Sequence, residues 1–395
     1  MKKYSLLFVC LLCVFYSIAL QAKNDSKSSR FKIDTLKHFT VKMGMKYWKY
    51  AGVRKPSPCF FDKEQLNIPY LTRAMDSLYV LQISRSNVGL KGIKIKGDLF
   101  DTPFYDQVIY LLPNEKFVVL GMEEKYLFGY FNNQGEQLNK RSASVYRDDV
   151  EMRPFPLMSI PNIIDNKLYF NTYNVKGESS YFDVPTGVQI DLDGFKVQKS
   201  SNIYYPDNYK HHYYYDDQLY SFSSDYNGNP ICSFAFNDSI FVFPKNGDPK
   251  RSIYAGSSIE HEFIDDDKSK LQDRFYIMSL KYKPKYNSIV YDPVSKYYIR
   301  DFEHHMEFSG RSMKKPDVKK RKRSWIILDK DLNIVEEITT DQYNLPYLGN
   351  TYPTKDGLWS VYRYIDRNEI VYEFTLLQLK EVKKGGIKSF WNNLF

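Results

Sequence analysis

Two histidine pairs are the residues of this chain whose types could carry chemistry. His211-His212 precedes Tyr213-Tyr214-Tyr215-Asp216, and His304-His305 lies between Glu303 and Glu307. Imidazoles and carboxylates serve as zinc ligands and as general acids or bases. Neighbours on an extended strand point to opposite faces, so neither pair chelates one metal alone; one histidine of each would have to meet at the same end of the fold. Tyr213, Tyr214, His212, His304 and His305 are therefore the candidate ligand-binding residues, and no catalytic residue, metal or other cofactor is expected.

Other signatures fail on inspection. Asp329-Lys330-Asp331-Leu332-Asn333 starts like a calcium loop, but Ile334 stands where that loop needs glycine and Thr340 where it needs a bidentate glutamate. A hairpin turn is the expectation there. Gly256-Ser257-Ser258 lacks the second glycine of a nucleophile elbow, and the chain has neither a phosphate loop nor a His-Glu-x-x-His zinc helix. Asp191-Leu192-Asp193-Gly194 and Asp265-Asp266-Asp267 read as turns. From Lys314 to Arg323, seven of ten residues are Lys or Arg. In an exported chain such a run is expected to be a solvated loop with a weak preference for anionic sugars or lipid head groups, not a nucleic-acid site.

The elements that would position these residues are almost all strands. Tyr286 to Arg300 is the clearest unit: Ile289, Val290 and Tyr291 suit a pleated surface, Asp292-Pro293-Val294-Ser295 turns, and Tyr297, Tyr298 and Ile299 resume the strand. Similar hairpins turn near Ser86-Asn87, Asn132 to Gly135, Pro185-Thr186-Gly187, Pro244 to Gly247, Asp329 to Asn333 and Asp366 to Asn368. Their spacing, irregular but mostly near the roughly 40 to 50 residues of a propeller blade, predicts an all-β β-propeller. Seven blades are expected, with six as the alternative. A transmembrane barrel fits less well, because the strands are short, often apolar on both faces, and the terminal alternation fails counting back from Phe395.

The ends carry their own signals. Met1-Lys2-Lys3, an apolar run from Leu6 to Tyr16 and small residues at Ala19 and Ala22 read as a signal peptide over residues 1–22. Its removal would change the net charge from +9 to +7. Cys10 and Cys13 follow Val9 and Leu12, whereas lipoprotein processing needs a small residue before the cysteine. Residues 23–30 are a polar lead-in and 31–384 a single propeller domain. Cys59 and Cys232 then remain in an oxidising compartment, where they either pair or stay buried as free thiols. After Gly385-Gly386, residues Ile387, Phe390, Trp391, Leu394 and Phe395 share one helix face. That stripe is expected to form a short helix that packs on the domain or docks a partner or membrane surface.

The motifs Tyr286 to Pro293, Tyr297 to Arg300, Trp325 to Asp329 and Lys355 to Trp359 give the chain its likeness to known proteins. It resembles an uncharacterised domain-of-unknown-function family of exported bacterial proteins with TolB-like propellers. The resemblance implies the fold over roughly residues 60 to 380 and brings no catalytic residues. The functional expectation is an exported, periplasmic or surface-associated, non-catalytic propeller that binds a protein or glycan, with Tyr213 to Tyr215 and Tyr343 to Tyr352 as contacts. The alternative is a carbohydrate-active or lactone-type hydrolase with its site at the channel mouth.

Overall fold

Short runs of β-branched and aromatic residues, separated by Asn, Asp, Gly and Pro, fold as antiparallel strands throughout the computed structural model. It describes residues 29–382, apart from 45–59, 97–106, 155–161, 175–187, 212–219, 307–320 and breaks of five residues or fewer. Four blades are simple meanders. They are β2 (Phe60–Asp62) to β5 (Val88–Lys94), through β3 (Gln65–Leu71) and β4 (Ser77–Ile83); and β6 (Gln107–Leu111) to β9 (Gln137–Ala143), through β7 (Phe117–Met122) and β8 (Tyr126–Phe131). Next come β17 (Tyr220–Ser224) to β20 (Arg251–Tyr254), through β18 (Pro230–Phe234) and β19 (Ser239–Val242), and β21 (Lys285–Asp292) to β24 (Ile334–Thr339), through β22 (Tyr297–Glu303) and β23 (Arg323–Leu328). The fifth blade has the order β1-β27-β26-β25, from β25 (Thr351–Thr354), β26 (Gly357–Asp366), β27 (Glu369–Glu381) and β1 (Phe31–Gly44).

The β-propeller expectation holds; among the described residues five blades are regular, against the seven expected and the alternative of six. The reason lies between Tyr146 and Lys199. Strands there are only two to five residues long: β10 (Tyr146–Arg147), β11 (Val150–Pro154), β12 (Asn162–Ile164), β13 (Lys167–Phe170), β14 (Thr172–Asn174), β15 (Val188–Asp191) and β16 (Lys196–Lys199). They divide between the sheets β10-β11-β14 and β12-β13-β15-β16. Val188 to Asp191, expected to return from the turn at Pro185-Thr186-Gly187, pairs with β13 and β16, while residues 175–187 lie outside the described residues. The helix expected over Ile387, Phe390, Trp391, Leu394 and Phe395 lies outside the described residues; Asn208–His211 forms a single α-helical turn.

Blade faces bury each other. Leu66, Ile68, Leu81 and Ile83 of the first blade share a core with Trp359, Val361, Tyr372 and Phe374 of the last. Leu78, Val80 and Ile93 pack with Ile109, Phe117 and Phe131. Ile231, Ile240 and Val242 pack with Ile289, Tyr298, Phe302 and Ile326. Burying each such side chain contributes about 1.5 to 3 kcal/mol, which is why these strands are apolar on both faces. Ile33–Gln378 forms one compact unit. Met1–Lys32 and Leu379–Phe395 form a second, in which the Val382 N–H donates to the Arg30 carbonyl and Arg30 pairs with Glu381 at 2.7 Å.

Three hairpins share one turn. Asn132 Oδ1 accepts from the N–H groups of Gln134 and Glu136, Asp225 Oδ1 from Asn227 and Asn229, and Asp329 Oδ1 from Asp331 and Asn333. The fourth residue of each turn has positive φ: +78° at Gly135, +73° at Gly228 and +70° at Leu332. The calcium-like sequence at Asp329 is thus a turn whose carboxylate is occupied by backbone donors. Leu332 accepts the unfavourable backbone because its side chain is buried in the core. At Gly135 an added Cβ would collide with the Lys94 carbonyl, next to the 2.7 Å bond from Lys96 N–H to the Gly135 carbonyl that ties two blades together. Gly135→Ala is expected to lower the unfolding free energy by about 2 kcal/mol in urea denaturation; an unchanged midpoint would show that this tie contributes nothing.

Candidate functional site

Because strands alternate in direction, the β18–β19, β20–β21, β22–β23 and β24–β25 connections emerge at one end of their blades. A polar network joins them there. It begins at Arg300, the middle one of the inward residues Tyr298, Arg300 and Phe302 on β22, set by the two-residue period of the strand. Arg300 is fully buried. Its Nε donates to Ser233 Oγ at 2.9 Å, Nη1 to the carbonyls of Asp238 and Ala255 at 2.8 and 2.9 Å, and Nη2 to that of Asn237 at 2.6 Å. The guanidinium carbon stands 3.5 Å from the centre of the Tyr286 ring. Desolvation lowers its pKa to about 10, so it remains a cation whose charge is spread over a set of loop carbonyls.

From Tyr286 a continuous chain of hydrogen bonds crosses two blades. The Tyr286 hydroxyl donates to Asp238 Oδ1 at 2.6 Å, and His261 Nε2 lies 2.9 Å from the same oxygen. The Ser257 N–H donates to the Tyr286 hydroxyl, and Ser257 Oγ donates to Glu337 Oε1 at 2.7 Å. Glu337 Oε2 accepts from both the N–H and the hydroxyl of Ser258, and its carboxylate also bonds Ser324. Ser324 Oγ is 2.7 Å from His304 Nε2. Burial raises the Glu337 pKa, but the serine donors outweigh it and hold the carboxyl below its ordinary range. Burial takes His304 down to about 4, so it is neutral at physiological pH.

This Ser–His–Glu grouping is not a hydrolytic triad. In a triad the imidazole stands between hydroxyl and carboxylate; here Ser324 stands between His304 and Glu337, and it is fully buried.

The opposite face of β22 carries a second cluster. Glu303 pairs with Arg321 at 2.7 Å and Arg323 at 2.9 Å. Burial disfavours its charge, yet Arg321 and Arg323 more than compensate and lower its pKa. Arg321 also donates to the carbonyls of His304 and Lys283, and Arg323 lies over the Tyr347 ring at 5.5 Å. Asp301 is fully buried, and its Oδ2 accepts from the Leu348 N–H at 3.3 Å. Desolvation raises its pKa to about 7, against the pull of Arg323 and with a further push from Glu303.

His304 and His305 lie at this end, His304 buried within the network and His305 exposed beside it. Asn208–His211 packs against the same end, since Asn208 Nδ2 donates to the Phe236 carbonyl and Tyr209 OH accepts from the Phe236 N–H. His212, Tyr213 and Tyr214 follow it and lie outside the described residues, as does Tyr343. Tyr347 is half-buried beside Arg323, and Tyr352 is a core residue that does not match the expectation of an exposed contact. The basic run is corrected in part: Arg321, buried, and Arg323, half-buried, are ion-pair partners of Glu303 and do not belong to a solvated loop. Lys314 to Lys320 lies outside the described residues. Cys232 is a fully buried free thiol in β18, its pKa pushed up by burial, and Cys59 lies outside the described residues. Among the described residues no three His, Cys, Asp or Glu side chains group to hold a metal, and no helix is long and apolar enough to cross a membrane.

Sequence reasoning passed over Arg300, Asp301 and Glu337. The available signal was a charge on each face of an otherwise apolar strand, in Ile299-Arg300-Asp301-Phe302.

Residues 101–339 match the family described as domain of unknown function DUF4221. A solved member of that family from Bacteroides vulgatus superposes with a TM-score of 0.65 at 16% identity, over 89% of this chain and 99% of that one. A protein of unknown function from Dyadobacter fermentans gives 0.42 at 7% identity, covering 88% and 99%. Virginiamycin B lyase from Staphylococcus aureus gives 0.37 at 8% identity, covering 85% and 99%. No curated protein matches. With the family model covering more than half of its length and a solved member sharing its fold, this chain belongs to the DUF4221 family.

Proposed function

We propose that this protein is an exported, non-catalytic β-propeller that binds a protein or glycan at the end where the β18–β19, β20–β21, β22–β23 and β24–β25 connections emerge. One observation carries the reading. The unbroken chain from His261 through Asp238, Tyr286, Ser257, Glu337 and Ser324 to His304 fixes the bases of these connections before any ligand arrives. A fixed frame reduces the ordering cost of binding, and its acids and imidazoles are already engaged with one another. His305 lies beside this frame, and Tyr213 and Tyr214 follow the Asn208–His211 turn in the sequence; these three are the proposed contacts. The signal-like start of the chain supports export to a periplasmic or cell-surface location.

Calorimetric titration with neutral oligosaccharides, acidic oligosaccharides and peptides, followed by mass spectrometry of each mixture, tests this. Saturable binding without new products, weakened roughly tenfold, or about 1.4 kcal/mol, by His305→Ala, is the expected result. Steady conversion of any glycan or lactone would sink the reading and favour the hydrolase.

A further inference from the structure

The last blade offers a different surface. β25 pairs only with Gly357 to Ser360 of β26, whereas β26 and β27 continue as a hairpin to Asp366 and Glu369. One face of this extension is core: Phe39 packs on Trp359 and Phe374, and Val361 and Tyr372 belong to the same cluster. By strand alternation the other face carries Ser360, Tyr362 and Tyr364 of β26, opposite Thr375, Glu373 and Val371 of β27. His38 of β1 bonds Thr375 at 2.9 Å and Lys42 pairs with Glu369 at 3.4 Å, which brings the third strand onto this face.

Its composition is unusual. Tyr362 and Tyr364 are 43% and 38% exposed, with ring centres 6.0 Å apart and planes 37° from each other. The Tyr364 hydroxyl donates to Glu373, which stands directly across from Tyr362. His38, Thr40 and Lys42 are exposed on the adjoining strand. A protein interface centres on a contiguous apolar patch depleted in Lys and Glu, whereas here Glu373 stands across from Tyr362 and bonds Tyr364, whose own cross-strand neighbour Val371 is buried. A sugar needs this alternation, because its C–H face stacks on an aromatic ring while its hydroxyls project sideways to carboxylate, imidazole and ammonium groups.

We propose that the face formed by Tyr362, Tyr364, Glu373, His38 and Lys42 is a binding platform for a polysaccharide chain, with adjacent sugar rings on the two tyrosines. It shares no residue with the loop-end network and does not depend on it. Native-gel electrophoresis of the full chain through arabinoxylan, mixed-linkage β-glucan, galactomannan and pullulan tests the proposal. At least one polysaccharide is expected to retard the protein, and Tyr362→Ala and Tyr364→Ala each to weaken that retardation about tenfold, which corresponds to about 1.4 kcal/mol. Tyr362→Phe keeps the ring and is expected to retain binding. Glu373→Gln, with both rings in place, is expected to weaken it about threefold, or about 0.65 kcal/mol. Unaltered mobility of the wild type in all four gels overturns the proposal. So does undiminished retardation of the Tyr362→Ala/Tyr364→Ala double variant, which would place the sugar elsewhere, including at the loop end.

Discussion

Arg300→Ala is expected to lower the unfolding free energy by about 3 to 5 kcal/mol, the largest effect of any single substitution considered for this chain. The loss has three sources. The carbonyls of Asn237, Asp238 and Ala255 lose a buried donor, Ser233 loses its partner, and the Tyr286 ring loses the cation over its face. Each orphaned buried acceptor costs about 1 to 3 kcal/mol, so relaxation or entering water must offset part of the total. Arg300→Lys is expected to recover little, because an ammonium cannot reproduce the planar fork that reaches these carbonyls together. Urea denaturation of the three proteins measures this, and a loss below about 1 kcal/mol for the alanine variant would show that Arg300 is not the staple between these blades.

Asp301→Asn is expected to stabilise the protein at pH 8 by roughly 2 to 4 kcal/mol and to have little effect near pH 4. The sign follows from the direction of the shift. Burial raises the folded-state pKa to about 7 from an ordinary value of 3.8, so between these limits the folded chain holds a proton that the unfolded chain has released. Stability from this group is therefore lost as pH rises from about 4 to 7, and the full penalty stands above 7. Asparagine imitates the protonated carboxyl and removes the penalty. Glu303, Arg321 and Arg323 face the same cluster, so the quantity to compare is the difference between wild-type and variant unfolding curves across pH. Parallel curves would mean that Asp301 titrates alike in both states.

The fold was legible wherever local chemistry determined it. The hairpins at Asn132, Asp292, Asp329 and Asp366 were readable because each pairs strand-forming residues with a turn that the next few residues specify. The blade count was not, because between Tyr146 and Lys199 it depends on which strands pair over a distance. Val188 to Asp191 has the composition of a hairpin return but takes β13 as its partner. The candidate site was legible only at His304 and His305. Asp238, Glu337 and Arg300 are far apart in sequence, and only the stacking of two blades brings them together. Arg321 and Arg323 were hidden in the basic run, since charge alone does not distinguish a solvated cation from one paired with a buried glutamate.

The same physical arrangement links stability and function. Arg300 and Glu337 hold the bases of connections that would otherwise be free to move, and His305, a proposed ligand contact, adjoins those bases. The direct measurement is hydrogen–deuterium exchange of the Ser257, Ser258 and Ile259 amides, which lie outside any strand ladder yet donate to Tyr286, Glu337 and Ser257 Oγ respectively. A locked frame predicts that they exchange as slowly as the β18 core amides and that Glu337→Gln releases them while leaving β18 protected. Rapid exchange of these amides in the wild-type protein would contradict a frame set before the ligand arrives.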